Sequence, residues 1–238
     1  MQVRCLLLLF PFAVAGLLAA PVKFTSGETR VHLIELYSSE GCSSCPPAEE
    51  WLGGLKADPG LWRDFVPVAF PVDYWDRLGW RDRRARPEYT ARQYAYAREW
   101  GGDGVYTPAF VLDGVEWQVR FARHLPPPSA EKAGRLSVEY AADGACRVAF
   151  AAAGDFEVHA VLLGGGISTA VRAGENEGRT LSHEFVALNL AAAALRDGTV
   201  ELSLPRTPVA GVTRYALAVW VTRRGGLRPL QATGGWLE

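Results

Sequence analysis

The sequence predicts an α/β domain followed by a small antiparallel, sandwich-like β domain. Up to residue 102, apolar runs typical of strands alternate with helical patterns, and a pair of cysteines stands between the first strand and the first helix. After a run of three prolines, the chain consists mainly of short alternating runs separated by glycine-rich turns. We therefore place the α/β domain at residues 28–125 and the β domain at residues 130–238.

The composition is that of an ordinary globular protein. Of the 238 residues, 49% are hydrophobic and 21% are charged, which excludes a disordered or collagen-like chain. The 25 basic residues nearly balance the 26 acidic ones, so the chain has no general attraction to phosphate backbones and we expect no nucleic-acid partner. Four cysteines are too few for a fold held together by disulfides.

Residues 1–20 are predicted to be a signal peptide. They combine a basic start, an apolar run over residues 5–18 and small residues up to Ala20. Because the apolar run is too short to span a bilayer, we expect no stable membrane anchor and a periplasmic or secreted protein. An uncleaved anchor is the alternative. In an oxidising compartment, two nearby cysteines can form a disulfide.

The first domain begins with a strand, a helix and a second strand. Residues 31–37 are a nearly continuous apolar run, which predicts a buried strand. Residues 48–57 carry their apolar side chains on one helical face. Residues 65–72 alternate as a strand does, but Pro67 and Pro71 argue against a place in the middle of a sheet.

The remaining elements follow from turn and cap residues. Residues 87–100 predict a helix that begins with a proline and ends at a glycine pair. Asp113-Gly114 predicts a hairpin, and residues 124–129 read as a linker. The alanine stretch of residues 188–195 is compatible with a helix inside the β domain. The predicted strands of that domain are residues 136–140, 147–151, 156–163, 200–204 and 215–221.

Cys42 and Cys45 form a C-x-x-C motif at the start of the first helix, which is typical of a redox-active pair. A helix N-terminus stabilises a thiolate and can lower a cysteine pKa from ~8.5 to roughly 3.5–7.5. Cys42 is therefore the candidate nucleophile and Cys45 the resolving thiol. Since Pro46 and Pro47 follow directly, we expect the pair to lie in an irregular turn just before the helix.

Thr107 and Pro108 precede the hairpin. Folds of the thioredoxin type place a cis-proline, often after threonine, at the start of the strand beside their cysteine pair. We therefore expect a cis Thr107–Pro108 bond that helps bind an extended substrate chain. Tyr74 and Trp75, which follow the second strand, are candidate walls of the same groove. A hydrophobic plug is the alternative for these two aromatic residues.

Glu35 is a carboxylate inside the apolar first strand. If it is buried, its pKa rises, and it could accept the proton of Cys45 during resolution. The alternative is a glutamate at a sheet edge that pairs with an arginine. Cys146 has no nearby partner and is expected to be a buried, inert thiol.

The chain resembles the bacterial secreted proteins of the domain of unknown function 1223 family, which look thioredoxin-like. The resemblance implies a thioredoxin-like first domain and a motif set more than an activity. The sequence differs from the usual family pattern at two positions: Pro71 stands where a histidine is usual, and Ala109 stands where a glutamine is usual. The motifs that carry it are residues 33–55 (LIELYSSEGCSSCPPAEEWLGGL), 72–82 (VDYWDRLGWRD), 89–101 (YTARQYAYAREWG), 105–114 (VYTPAFVLDG) and 174–186 (GENEGRTLSHEFV).

The leading functional hypothesis is an exported thiol–disulfide oxidoreductase without a cofactor or metal. Its partners would be protein thiols or disulfides, including a redox partner protein. One alternative is a protein that binds a soft metal such as Cu(I) through both thiolates and a histidine. The absence of methionine after Met1 counts against that alternative. The other is a thioredoxin-like adaptor in which the disulfide is structural.

Overall fold

The computed structural model describes residues 20–118 and 125–237. The predicted signal peptide, apart from Ala20, and residue 124 of the predicted linker lie outside these residues. The helices in the described part are α1 (Pro46–Gly54), which continues as a 3-10 turn (Leu55–Ala57), a second 3-10 turn (Asp76–Leu78), and α2 (Pro87–Glu99). Within this part, no helix has the length and apolar character needed to cross a membrane.

Strands dominate the rest of the described chain. They are β1 (Val22–Thr25), β2 (His32–Ser38), β3 (Phe65–Pro71), β4 (Ala109–Leu112), β5 (Val115–Glu116), β6 (Leu136–Tyr140), β7 (Ala145–Phe150), β8 (Phe156–Gly165), β9 (Ile167–Ala170), β10 (Thr180–His183), β11 (Val186–Ala194), β12 (Thr199–Ser203), β13 (Arg214–Arg223) and β14 (Pro229–Leu237). An eight-stranded sheet has the order β14-β13-β8-β11-β3-β2-β4-β5, and a four-stranded sheet has the order β1-β6-β7-β12. β9 and β10 pair only with each other among the described strands.

The predicted fold class, a thioredoxin-like α/β domain followed by a small β domain, is wrong. The described part of the chain is mostly β, with 42% strand and 13% helix, and its large sheet is mixed. Strands from both sides of the proline segment share that sheet, because β11 pairs in parallel with β3 at Val186 and Ala69. The N–H of Ala69 donates to the carbonyl oxygen of Phe185 at 2.8 Å. Hydrophobic patterns identify strands, but they do not identify a pairing partner so far along the chain.

The position of β3 also corrects the expectation drawn from its prolines. β3 lies between β2 and β11, inside the sheet. The backbone N–H groups of successive residues in a strand point alternately to the two neighbouring strands. The N–H of Ala69 points towards β11, so the backbone nitrogens of Pro67 and Pro71, two residues away on either side, face β11 as well. β11 pairs with β3 at a single residue, so the missing N–H groups of the prolines break no ladder.

Most local elements agree with the prediction, and one does not. Both predicted helices and the first two predicted strands, which are β2 and β3, are confirmed. Their ends agree within two residues, except that α1 itself ends at Gly54 and the chain reaches the predicted end at residue 57 as a 3-10 turn. The hairpin is confirmed too, with φ angles of 49° at Asp113 and 81° at Gly114. The alanine stretch is not a helix but the strand β11, which pairs with β8 along its length. Pairing on that edge outweighs the helix preference of alanine.

The residues that the structure describes form two hydrophobic cores. The first lies where α1 and α2 pack on β2 and β3, and it includes Leu36, Leu52 and Phe70. The second lies between the four-stranded sheet and β8 with β13, and it includes Val148 and Val219. This second packing is sandwich-like. The cysteine pair sits at the end of β2, above the first core.

Candidate functional site

Cys42 and Cys45 form a disulfide between the end of β2 and the start of α1, with their Cα atoms 5.5 Å apart. The predicted order of strand, cysteine pair and helix is therefore present. The expected turn just before the helix is present too, because both cysteines precede α1, which begins at Pro46. Cys45 nevertheless has helical angles (φ −76°, ψ −35°), which a following proline disfavours. Since Pro46 and Pro47 carry no N–H, the helix offers a thiolate fewer donors than expected.

The structure brings several predicted residues together around Cys42. Its Sγ lies 3.3 Å from Oγ of Ser44 and 3.8 Å from the carbonyl oxygen of Thr107. The bond from Thr107 to Pro108 is cis, as predicted. Nε1 of Trp75 donates to Oγ1 of Thr107 at 2.8 Å, so this indole forms part of the wall beside the disulfide.

The hydroxyl of Tyr74 contacts α2. It donates to Oε1 of Gln93 at 3.3 Å, and Nε2 of Gln93 donates to the carbonyl oxygen of Tyr106 at 2.7 Å. Burial raises the pKa of Tyr74 to about 12. Tyr74 therefore supports the segment before Thr107 as a neutral hydrogen-bonding group.

Both cysteines are closed to solvent. The exposed fraction of the residue is 0% for Cys42 and 1% for Cys45, whereas Ser43 and Ser44 between them are exposed. A partner protein cannot reach either sulfur in this conformation. Thiol–disulfide exchange at this site therefore requires a conformational change that exposes a sulfur atom.

Glu35 lies on β2 and is fully buried. Arg92 binds it with two hydrogen bonds, from Nε at 2.7 Å and from Nη2 at 3.0 Å. The hydroxyls of Tyr37 and Tyr96 donate to the same carboxylate at 2.9 and 2.6 Å. Within residues 20–118 and 125–237 it forms no hydrogen bond to Cys45, so its role as proton acceptor remains a prediction. These contacts indicate a structural ion pair, although β2 is not an edge strand.

A turn from the second half of the chain, the 174–179 turn, closes over the cysteine loop (residues 39–45). Asn176 is 0% exposed, and its Nδ2 donates to the carbonyl oxygens of Glu40 and Cys42, both at 2.9 Å. Nη1 of Arg179 donates to Oδ1 of Asn176 at 2.7 Å and so orients the amide. The turn thus binds the backbone on which the first cysteine stands.

Glu175 binds the same loop from the surface. Its Oε2 accepts hydrogen bonds from the N–H of Ser43 at 3.0 Å and from the hydroxyl of Ser43 at 2.7 Å. These two bonds lower the pKa of Glu175. A carboxylate is therefore held beside the residue that follows Cys42.

A buried charge cluster (Glu40, Glu49, Asp82, Arg84 and His183) lies behind the cysteine loop. Nδ1 of His183 contacts Glu49, and Nε2 of His183 is 3.2 Å from Oε1 of Glu40. Arg84 donates to the same oxygen of Glu40 at 3.2 Å. Oδ2 of Asp82 accepts the N–H of Glu40 at 3.2 Å. Side chains from three other segments, at residues 49, 82–84 and 183, thus cluster around Glu40, two positions before Cys42.

Burial and charge shift two pKa values in this cluster. Burial alone would lower the pKa of His183, but the carboxylates of Glu49 and Glu40 raise it to about 10. Burial, together with the charge of Glu40, raises the pKa of Asp82 to about 6. His183 is therefore an imidazolium ion at neutral pH, held between two carboxylates.

The described residues do not place three or more His, Cys, Asp or Glu side chains so that they could hold a metal ion. In the buried charge cluster, protonated His183 and Arg84 already pair with the carboxylates of Glu40 and Glu49. The Cu(I) alternative therefore lacks a third ligand in this part of the chain. Cys146 is buried in β7, and burial raises its pKa to about 12.

Sequence reasoning missed the residues that surround the cysteine loop. Asn176, Glu175 and Arg179 belong to the motif at residues 174–186, which also contains His183. Taken alone, each has an ordinary surface or structural interpretation. The high density of polar residues in that motif was the one indication that it could have a functional role. Nothing in the sequence showed which segment these residues would contact.

Comparison with known proteins places the chain in a family. Residues 33–222 match the family described as "Protein of unknown function (DUF1223)", and no curated protein matches. The crystal structure of protein AGR_C_4864 from Agrobacterium tumefaciens is similar, with 25% identity, a TM-score of 0.61 and coverage of 89% of this chain and 96% of that chain. HBP35 of Porphyromonas gingivalis shares the fold at 13% identity, with a TM-score of 0.54 and coverage of 89% and 76%, respectively. Since the family match covers most of its length, the chain belongs to the DUF1223 family and carries a disulfide within the matched region.

Proposed function

We propose that the protein is an exported thiol–disulfide oxidoreductase whose redox centre is the Cys42–Cys45 disulfide. One observation carries the proposal: the disulfide lies in the loop between the end of β2 and the start of α1, and Cys42 Sγ is 3.8 Å from the carbonyl oxygen of Thr107. A close cysteine pair at a helix start is the arrangement in which thiol–disulfide exchange can be completed within one loop.

The reaction uses two successive exchanges. A thiolate of a substrate dithiol attacks Sγ of Cys42, and Cys45 leaves as a thiolate. The second substrate thiolate then attacks the substrate sulfur of the mixed disulfide and releases Cys42. Two electrons and two protons pass to the protein, and the substrate becomes a disulfide. In the reverse direction, the Cys42 thiolate attacks a substrate disulfide and Cys45 resolves the intermediate.

The proposed substrate is a cysteine-containing polypeptide. Trp75 and Thr107 stand beside Cys42, and Tyr106, which is 51% exposed, continues the same wall outwards. Aromatic side chains next to a reactive sulfur provide apolar contact area for an extended chain. Tyr74 and Pro108 complete the proposed substrate-binding set.

Replacing the nucleophile tests the function directly. In Cys42→Ser, the rates of insulin reduction and of oxidative refolding of a reduced substrate protein should fall to the uncatalysed background, because the first exchange needs the Cys42 sulfur. The matched control is Cys146→Ala, which removes the buried third cysteine of the described chain and should keep the wild-type rate. Equal rates in Cys42→Ser and wild type would end the proposal.

A second candidate is a non-catalytic protein in which the disulfide is structural. The burial of both sulfurs favours it. The reduction potential separates the two candidates: structural disulfides typically lie below about −300 mV, whereas catalytic pairs lie at roughly −120 to −270 mV. Equilibration of the full chain with redox buffers of defined potential measures it.

A further inference from the structure

The 174–179 turn holds the cysteine loop in one conformation. Asn176 gives its two amide hydrogens to the carbonyl oxygens of Glu40 and Cys42, which flank Gly41. The amide is fully buried, so no solvent replaces these bonds when they break. Any movement that carries Cys42 outwards must break them.

The turn itself is built to stay in place. Arg179 fixes the amide of Asn176, and the N–H of Arg179 donates to the carbonyl oxygen of Asn176 at 3.1 Å. Gly174 has a φ of 79°, and a Cβ there would lie 3.2 Å from Cβ of Trp80, so the chain passes close to this indole. Trp80 in turn donates to Oε2 of Glu40 at 2.8 Å. The turn and the cysteine loop therefore share one packed support.

Glu175 adds an electrostatic effect to this mechanical one. Its carboxylate accepts the hydrogen bond of the Ser43 N–H, so this backbone donor next to Cys42 cannot stabilise a thiolate. Reduction of the disulfide creates thiols that react as thiolates, and a fixed anion close by disfavours a second negative charge. The closed turn thus favours the disulfide over the reduced pair.

We propose that the 174–179 turn is a lock on the disulfide: Asn176 and Glu175 stabilise the closed, oxidised cysteine loop and must release it before Cys42 Sγ can exchange with an outside thiol. Asn176 acts through the backbone of the loop and is a positioning residue. The lock concerns the disulfide itself, so it holds whether or not the protein is an oxidoreductase.

The test follows reduction of the oxidised full-length chain by dithiothreitol. One thiolate of the reagent attacks Cys42 Sγ and Cys45 leaves; the second thiolate then closes the reagent into its cyclic disulfide and releases Cys42. Two electrons and two protons pass from the reagent to the cysteine pair. Samples taken over time are alkylated and weighed by mass spectrometry, and glutathione buffers give the equilibrium potential.

Asn176→Ala should be reduced about tenfold faster than wild type, since two buried hydrogen bonds that hold the closed loop are gone. Its equilibrium should shift towards the dithiol by a similar factor, about 30 mV. Asn176→Asp keeps an acceptor for Arg179 but loses both donors, and it should show at least the same change. Glu175→Gln keeps the size of the side chain without its charge, and its equilibrium should shift towards the dithiol by about threefold.

Two variants serve as controls. Glu177→Gln changes an exposed carboxylate on the same turn, and Asn189→Ala removes an asparagine whose Oδ1 accepts the distant N–H of Leu162. Both should keep the wild-type rate and potential. The lock is refuted if the Asn176 and Glu175 variants also keep them while circular dichroism shows a native fold. If the Asn176 variants fail to fold, exposed Glu175 decides the test alone.

The outcomes separate the lock from the proposed function. A wild-type protein that does not catalyse insulin reduction, but whose disulfide becomes easier to reduce in Asn176→Ala, supports the lock and contradicts the oxidoreductase. If catalysis is lost in Cys42→Ser but the Asn176 and Glu175 variants leave the reduction of the disulfide unchanged, the oxidoreductase is supported and the lock is contradicted.

Discussion

Replacing Arg92 with alanine should destabilise the protein by about 3 to 5 kcal/mol, because the fully buried carboxylate of Glu35 then loses its cation. The guanidinium also lies 5.0 Å from the ring of Trp220 and 5.1 Å from that of Tyr96, so its removal empties an aromatic pocket between α2 and the large sheet. Urea or guanidinium denaturation, followed by fluorescence, measures the free energy of unfolding.

Two further variants test whether the loss of stability in Arg92→Ala comes from the unpaired buried charge. The double variant Glu35→Leu with Arg92→Met should be much more stable than Arg92→Ala, because no unpaired charge remains in the core. Arg147→Ala breaks an ion pair with Glu201 whose side chains are 71% and 55% exposed, and it should leave the free energy of unfolding almost unchanged. Similar losses in Arg92→Ala and Arg147→Ala would contradict the importance of the buried pair.

Stability should fall as the pH rises from neutral to alkaline values, owing to His183. Its pKa is about 10 in the folded protein, against an ordinary value of 6.5, so the folded state binds this proton more tightly. The resulting stabilisation is complete below pH 6.5 and is lost as the pH rises towards 10. At ~1.4 kcal/mol per pKa unit, the full effect is roughly 2 to 5 kcal/mol. Asp82 acts in the same direction at lower pH, since its pKa is also raised.

Denaturation curves of wild type and His183→Gln between pH 6.5 and 10 check this expectation. The variant should be less stable at pH 6.5, and the difference between the two proteins should shrink as the pH rises. His159→Phe is the control, because burial lowers the pKa of His159 to about 3 and the residue is neutral throughout this range. Its difference from wild type should stay constant. A constant difference for His183→Gln would contradict the assigned charge.

Much of the local structure was predictable because short stretches of chain contain the reasons for it. The apolar run of β2 is buried on both faces, the proline pair starts α1, and Asp113-Gly114 has the positive φ angles that its turn requires. The same holds for the core of the candidate site, since Cys42 and Cys45 are close in sequence and stand between predictable elements.

The architecture was not predictable in the same way. The join between β11 and β3 unites the two halves of the chain in one sheet and turns an alanine-rich stretch into a strand. Alternation and propensity describe a segment by itself, whereas sheet order depends on which exposed edges meet after folding. The thioredoxin-like expectation failed at this point.

The sequence by itself determined that a C-x-x-C cysteine pair stands between a buried strand and a helix, because strand, cap and turn signals act over a few residues. Only the tertiary structure decided that the pair is closed to solvent, that Asn176 and Glu175 hold its loop, and that His183 is charged behind it. These properties arise from contacts between segments more than a hundred residues apart in the chain. Hydrogen-bond satisfaction and charge pairing in a buried site depend on such contacts, and no local pattern encodes them.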